Sequence, residues 1–335
     1  MKTNILYIGN NLAKKTKYNT SIEVLSKLLE SENIKVIKSS NKQNKLVRML
    51  DMIFSTFKNR KVNYLLIDTF STSNFYYAFI ISQLAKILKI KYIPILRGGN
   101  LPYRLDVSKR LSGLIFANSY KNIAPSNYLK TEFEKRGYKT DFIPNILEIE
   151  NYKFKERNPL QPKLLWVRAF KHLYNPTLAI EVLHIVKNKF PNAILCMIGP
   201  QIDDSFADTK ELVNKLQLTD SVEFTGVLPK EEWHQKSIEY DVFMNTTNFD
   251  NTPVSVMEAM ALGLSVVSTN VGGMPYLIEN TVDGILVDKE NPEQMAKAIL
   301  KLMEENNQII SKNARNKAEC FGWNVVRDKW LEILF

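Results

Sequence analysis

Residues 245–287 read NTTNFDNTPVSVMEAMALGLSVVSTNVGGMPYLIENTVDGILV, and the punctuation of this stretch decides the fold. An apolar run, Val242, Phe243 and Met244, precedes it and reads as a strand. A turn rich in Asn, Thr and Asp then leads to Pro253, which suits the first position of a helix because its missing N–H is not needed there. The helix VSVMEAMALG stops at Gly263, a natural left-handed C-cap. LSVVST is a second strand, and Gly272-Gly273 form the turn after it. Strand, polar turn, helix and strand make one unit of a parallel α/β sheet, in which ligands bind beyond the carboxyl ends of the strands.

The turn has a chemistry of its own. A helix starting near Pro253 presents unpaired N–H groups and partial positive charge, which suit a phosphate or diphosphate. Asp250 and Glu258 lie before the helix and on its second turn. A carboxylate accepts hydrogen bonds from two vicinal hydroxyls, as on a ribose or hexose. An anion in the middle with polyols on either side is the outline of a nucleotide-sugar.

Asp250 and Glu258, with seven residues between them, and the run AMALGLSVVSTNVGGMPYLIENTVDGILV resemble the signature of retaining, family-4-type (group 1) glycosyltransferases. The resemblance implies the α/β GT-B fold, two Rossmann-like doubly wound domains facing across a cleft. It implies that Asp250, where the family usually has Glu, contacts the donor sugar and that Glu258 contacts the ribose. The amides of the segment Asn251, Thr252, Pro253, Val254 and Ser255 would hold the diphosphate. Glu258, placed at a cleft mouth, should be replaceable without loss of the fold.

The chain has 335 residues, suited to two domains. Its hydrophobic content of 45% and charged content of 24% are those of a globular protein. Cys196 and Cys320 sit among apolar neighbours and read as buried thiols of a reducing compartment. Three histidines without clustered spacing give no metal signal. The start, MKTNILYIGNN, reads as a first strand rather than a signal peptide, and Thr69 to Ala85 is too polar for a membrane span. Residues 1–155 carry 27 Lys and Arg against 11 acids, and residues 156–335 carry 18 against 24. That asymmetry points to an anionic partner for the first half, a membrane surface or phosphorylated acceptor. No nucleic-acid recognition motif is present, so nucleic acid is not expected.

Along the first half, NILYIG is a buried strand ending at Gly9 and followed by the loop NNLAKKTKYNT. The resemblance implies a paired-glycine loop there; only Gly9 stands in this chain, with the Asn10 and Asn11 amides available to a phosphate. Residues 43–58 form an amphipathic helix with Leu46, Leu50, Ile53, Phe54 and Phe57 on one side. Lys42, Lys45, Arg48, Lys58, Arg60 and Lys61 lie on or beside it. It reads as a helix docked on the sheet, with a membrane-surface helix as the other reading. The strand KYIPILRGG ends in Arg97, Gly98 and Gly99, an acceptor-facing place where relatives commonly carry a histidine. Arg97 would hold a phosphate or pair with Asp106. LIFANS reads as a strand, a Ser126-capped helix follows, and 148–162 reads as the linker.

In the second half, Arg168 ends the strand KLLWVRAF and matches the family arginine on the donor diphosphate, a task suited to a forked, permanently charged group. Lys171 stands near the family's phosphate-contacting Lys, though early in the register. By resemblance, backbone near Gly199, Val227 and Leu228 holds the nucleobase. The expected domains are 1–155, binding the acceptor, and 156–318, binding the nucleotide-sugar, with 319–335 crossing back to the first.

The function these features imply is a retaining hexosyltransferase of cell-surface polysaccharide synthesis, acting on a glycan or lipid-linked acceptor. Asp250, Glu258 and Arg168 are its catalytic set. No metal and no cofactor are expected, since the nucleotide-sugar is a substrate. The expected location is cytoplasmic, peripheral on the inner membrane face. An epimerase or hydrolase of the same fold, for which His172 is the nearby acid/base candidate, and a non-catalytic nucleotide-sugar-binding protein stay open.

Overall fold

In the computed structural model the chain is described over residues 3–11, 20–305 and 308–335, so most of the loop expected at 10–20 lies outside the described residues. It divides into two compact units, Met1–Ile146 with Trp323–Phe335, and Leu147–Gly322.

The first unit holds strands β1 (Asn4–Ile8), β2 (Lys35–Ser39), β3 (Tyr64–Thr69), β4 (Lys91–Leu96), β5 (Ile123–Ala124) and β6 (Asp141–Phe142). They pair in parallel in the order β2-β1-β3-β4-β5-β6. Its helices are α1 (Ser21–Ser31), α2 (Lys45–Lys58), α3 (Asn74–Ile87), α4 (Leu101–Val107), α5 (Lys109–Phe116) and α6 (Asn127–Glu134). The strands are apolar at successive positions because helices cover both faces. Ile5, Tyr7 and Leu66 pack with Ile22, Leu25 and Leu29 of α1, while Leu6, Ile8 and Leu65 pack with Met52 of α2 and Ala78 and Ile81 of α3. LIFANS is not a strand: its apolar residues end α5, where Ile115 and Phe116 pack on Phe75, Leu129 and Phe133. A short apolar run does not by itself separate strand from buried helix.

The second unit holds β7 (Lys163–Val167), β8 (Ile194–Ile198), β9 (Val222–Gly226), β10 (Val242–Asn245), β11 (Ser265–Thr269) and β12 (Ile285–Val287). These are parallel in the order β12-β11-β10-β7-β8-β9. The order reverses between β7 and β10, so the switch point lies where Arg168 and the 245–253 turn leave the sheet. The helices are α7 (Pro176–Lys187), α8 (Ser205–Lys215), α9 (Lys230–Lys236), α10 (Val254–Ala261), α11 (Met274–Leu277), α12 (Pro292–Glu305) and α13 (Gln308–Glu319). α7 and α12 cover one face through Leu178, Val182, Met295 and Ile299; α10 and Trp233 cover the other through Val256, Met257 and Met260.

The boundaries differ from those expected. The first falls at Ile146/Leu147, because the 148–162 stretch is part of the second unit and not a linker. Tyr152, Arg157 and Leu160 are buried in it. The Arg157 guanidinium donates to the carbonyls of Tyr240, Lys155, Leu262 and Ser237, and Asp241 lies 3.4 Å away. Burial lowers its pKa to about 10, against the pull of Asp241. The second boundary falls at Gly322/Trp323. The last helix, α14 (Trp323–Leu334), buries Val326, Trp330, Ile333 and Leu334 against α1 and the first sheet, and Trp323 Nε1 donates to Glu32 at 3.1 Å. The charge split survives these shifts, since the first unit again holds 27 basic residues against 11 acids.

Candidate functional site

Arg168 leaves β7 with its amide bonded to the Ile198 carbonyl at 3.0 Å. Gly199, at the end of β8, has φ 153°, and a Cβ there would fall 1.8 Å from the Arg168 carbonyl oxygen. Only glycine allows that approach. The Arg168 guanidinium lies 4.3 Å from the Tyr174 ring centre, and its Nη2 donates to Asp250 Oδ2. Its Nε is buried with no hydrogen-bond partner.

Asp250 is fixed from behind by the Gly272-Gly273 turn. Gly273 N donates to the Asp250 carbonyl at 2.9 Å, and a Cβ on Gly273 would sit 1.6 Å from the Asn251 carbonyl oxygen. Burial raises the Asp250 pKa, opposed by Arg168 and by the Asn251 amide, which donates to Oδ1 at 2.8 Å. The Asn251 amide is therefore already engaged. Pro253 is the N-cap of α10 rather than its first residue, and its carbonyl accepts from Val256 and Met257. The amides left for a ligand at this helix start are those of Val254 and Ser255. Beside them the Thr252 and Ser255 hydroxyls are buried with no hydrogen-bond partner. Buried polar atoms are rarely left unsatisfied, so each calls for a ligand or water.

Glu258, expected at a cleft mouth, is buried. Position 258 falls on the packed side of α10, and its Oε1 meets Lys230 Nζ at 2.7 Å and the Tyr152 hydroxyl at 2.9 Å. Burial raises its pKa, with Lys230 and then Tyr152 opposing. Lys230 also lies 5.1 Å from the Tyr152 ring centre, and the His234 ring lies tilted against Tyr152 with centres 4.6 Å apart. Burial, then the Lys230 charge, lower the His234 pKa to about 4. Gly199 N donates to the Gly226 carbonyl at 2.8 Å, which joins the ends of β8 and β9. Val227 beyond them is exposed and Leu228 half-buried.

Lys171 is exposed beyond the end of β7. His172 turns to an acidic pair that spacing did not reveal: its Nε2 lies 2.6 Å from Asp204 Oδ1, and its amide donates to Asp203 Oδ2 at 3.1 Å. The bond to Asp204 raises its pKa. The side-chain ligand atoms of the three residues lie within 4.8 Å of one another at the surface.

In the first unit, Gly9 N donates to the Ser39 carbonyl at 2.7 Å and Asn11 N to those of Gly9 and Ser40. Of the two amides expected to be open to a phosphate, that of Asn11 is thus engaged. Asn10 Oδ1 accepts from Arg48 Nη1 at 2.9 Å. Arg97 pairs with Asp68 at 3.0 Å, Asn145 at 2.8 Å and the Tyr7 hydroxyl at 3.2 Å; Asp106 pairs instead with Arg136. Burial, then Asp68, raise the Tyr7 pKa. Arg97 therefore ties the ends of β1, β3 and β4 together, with Gly98 and Gly99 following it. Gly98 packs closely on the backbone of Phe70 and Ser71.

The family model described as "Glycosyl transferases group 1" matches residues 148–318, just over half of the chain. The chain belongs to the group 1 glycosyl transferases. Among curated members and relatives, the amylovoran biosynthesis glycosyltransferase AmsK of Erwinia amylovora is 27% identical over 74% of this chain and 65% of its own length. The sulfoquinovosyl transferase SQD2 of Arabidopsis thaliana is 31% identical over 45% of this chain and 29% of its own. The chain thus spans under two thirds of both. Among solved structures, sucrose-phosphate synthase from Thermosynechococcus elongatus superposes with TM-score 0.81, at 14% identity over 99% of this chain and 98% of that one. Anabaena HepE, solved with UDP and glucose, does so with 0.77, at 17% identity over 99% of each. The two six-stranded parallel sheets are those of the GT-B fold.

In this group 1 chain the structure brings together Arg168, Asp250, Gly199 and the start of α10, and sets Glu258 farther along the same helix. Sequence reasoning missed Tyr152 and Lys230. Tyr152 lay in an apparent linker with no pattern to single it out. Lys230 follows Val227 and Leu228 closely, so its place beside the expected nucleobase contacts was the available signal.

Proposed function

We propose that this chain is a retaining hexosyltransferase that takes its sugar from a nucleotide diphosphate donor without a metal and passes it to a glycan or lipid-linked acceptor. One observation carries the reading: Thr252 Oγ1 and Ser255 Oγ at the start of α10, and Nε of the Arg168 that bonds Asp250 just before it, are buried and unpartnered. Those donors and the helix amides suit a diphosphate. Asp250 holds the other end of the guanidinium, so Arg168 serves carboxylate and phosphate from different nitrogens. The UDP and glucose bound by HepE and the polysaccharide role in the name of AmsK support the donor class and the setting.

In the reaction the bond from sugar C1 to the β-phosphate oxygen breaks and the acceptor oxygen bonds C1 on the same face. The acceptor proton passes to the departing diphosphate. Arg168 and the α10 amides stabilise the charge that grows on the leaving oxygens. Glu258, held by Lys230 and Tyr152, accepts from the ribose. His172, the side chain an epimerase or hydrolase would use, is engaged with Asp204.

Thermal melting with a panel of nucleoside diphosphates and nucleotide-sugars tests the site. A ligand at a hundred times its Kd stabilises by about 2.7 kcal/mol, so one base should raise the melting temperature clearly. A panel that leaves the melt unmoved contradicts the reading.

A further inference from the structure

Helix α2 packs on the first sheet the wrong way round for its pattern. Arg48, Met52 and Thr56, at four-residue steps, form its buried line. With about 100° per residue, Leu46, Val47, Leu50, Phe54 and Phe57 fall on the opposite side. They are 68%, 47%, 63%, 66% and 49% exposed. The sheet-docked reading of this helix is thus right for its position and wrong for its face. Arg48, counted with the surface charges, points inward to Asn10 Oδ1 and the carbonyls of Lys42 and Gln43.

We propose that this stripe is a membrane-docking surface for an anionic bilayer. Single exposed apolar residues need no explanation, but five on one helix face make a contiguous patch that marks an interaction site. Its rim chooses the occupant. Between Ser40 and Asn63 there are six basic residues and one acid. Lys42, Lys45, Lys58, Arg60 and Lys61 are exposed, while the acid, Asp51, is half-buried and accepts from Ser39 Oγ at 3.3 Å. Leu and Phe on one face with lysine around them are what an interfacial helix presents to anionic lipid. A second copy of the chain fits poorly, because a two-fold contact sets each patch against its own like and brings lysines towards lysines. The first unit's excess of 27 basic residues over 11 acids adds to the attraction. Among the described residues no helix is long and apolar enough to cross a membrane, so α2 would hold the protein on the surface. This inference does not depend on the reaction proposed above.

Co-sedimentation of the full chain tests it, using vesicles of phosphatidylcholine alone and of phosphatidylcholine mixed with an equal part of phosphatidylglycerol. The wild type should bind the mixed vesicles at low salt, release them as salt rises, and bind the neutral ones at least about tenfold less, since each lysine near the surface contributes on that scale. The combined variant Leu46→Ser, Leu50→Ser, Phe54→Ser should weaken binding at least about tenfold through lost apolar burial. The variant Lys42→Gln, Lys45→Gln, Lys58→Gln, Lys61→Gln should also weaken it at least about tenfold and flatten the salt dependence. All seven side chains are exposed, and if one variant misfolds the other decides. Equal binding to both vesicles, binding to neither at low salt, or a folded apolar variant that binds like the wild type would overturn the proposal. So would a wild-type dimer in sedimentation velocity that the apolar variant converts to monomer.

Discussion

Replacing Arg168 by Gln probes the proposed donor site where its parts converge. In the wild type the guanidinium bonds Asp250, leans on Tyr174 and keeps one buried nitrogen unpartnered. A hydrogen bond to a charged group contributes about 1.5–3 kcal/mol, so losing one to the diphosphate should weaken nucleoside diphosphate binding roughly ten- to hundredfold. Asp250→Asn should behave differently. It removes the carboxylate that now neutralises Arg168 and takes negative charge away from the phosphate, so nucleoside diphosphate affinity should hold or rise while sugar transfer is lost. Lysine at 168 should not restore the wild-type value, because a point charge cannot bond Asp250 and phosphate in one plane. Titration calorimetry of the wild type and the three variants, each checked for a wild-type melt, measures this. Unchanged affinity in a folded Arg168→Gln protein, or a loss in Asp250→Asn as large as in Arg168→Gln, would refute the assignment of the diphosphate to Arg168.

Further expectations follow from buried groups. Arg157→Met should cost about 3–5 kcal/mol in chemical denaturation, because it strands the buried Asp241 and four carbonyls; a cost near zero would return 148–162 to a linker. Burial holds the Asp250 and Glu258 carboxyls above the usual range, so the ribose contact of Glu258 should weaken as pH drops through that raised window, whereas the folded state gains stability there because it binds these protons more tightly than the unfolded chain. Wild-type melting temperature should therefore rise relative to Glu258→Gln on acidification, and a constant difference would show an unshifted group. Burial pushes the Cys196 thiol up to about 12 while Cys320 is exposed, so one thiol should react with a disulfide reagent in the native protein and two in denaturant. Transfer should persist in excess EDTA; a loss restored by Mg²⁺ or Mn²⁺ would direct attention to His172, Asp203 and Asp204.

The parallel sheets and the turns and helix of the candidate site around β10 were legible because their evidence is local. Gly263 and Gly272-Gly273 mark turns, and Asp250 and Glu258 flank one helix start. What was not legible depends on tertiary packing. The apolar pattern of α2 named the right helix but not which side meets the sheet, since Arg48 satisfies its charge inside through Asn10 and two carbonyls. Cys320, surrounded by apolar letters, is exposed because it falls at the turn after α13. Arg157 reads as linker charge until Ser237, Tyr240 and Leu262 supply the carbonyls that bury it. Arg97 reads as a phosphate ligand or a partner of Asp106 until Asp68, Tyr7 and Asn145, far away in sequence, close around it. The burial of Glu258 was not legible because its partners, Tyr152 and Lys230, come from separate segments.

The central claim is transfer of a sugar from a nucleotide diphosphate. Nucleoside diphosphate release from a panel of nucleotide-sugars, with and without a glycolipid-rich membrane extract as acceptor, tests it most directly. Release should depend on the acceptor, favour one donor, put the sugar into the extract with its anomeric configuration retained, and vanish in Asp250→Asn. Release of free sugar without acceptor, isomerised donor, or no turnover of any donor would contradict it.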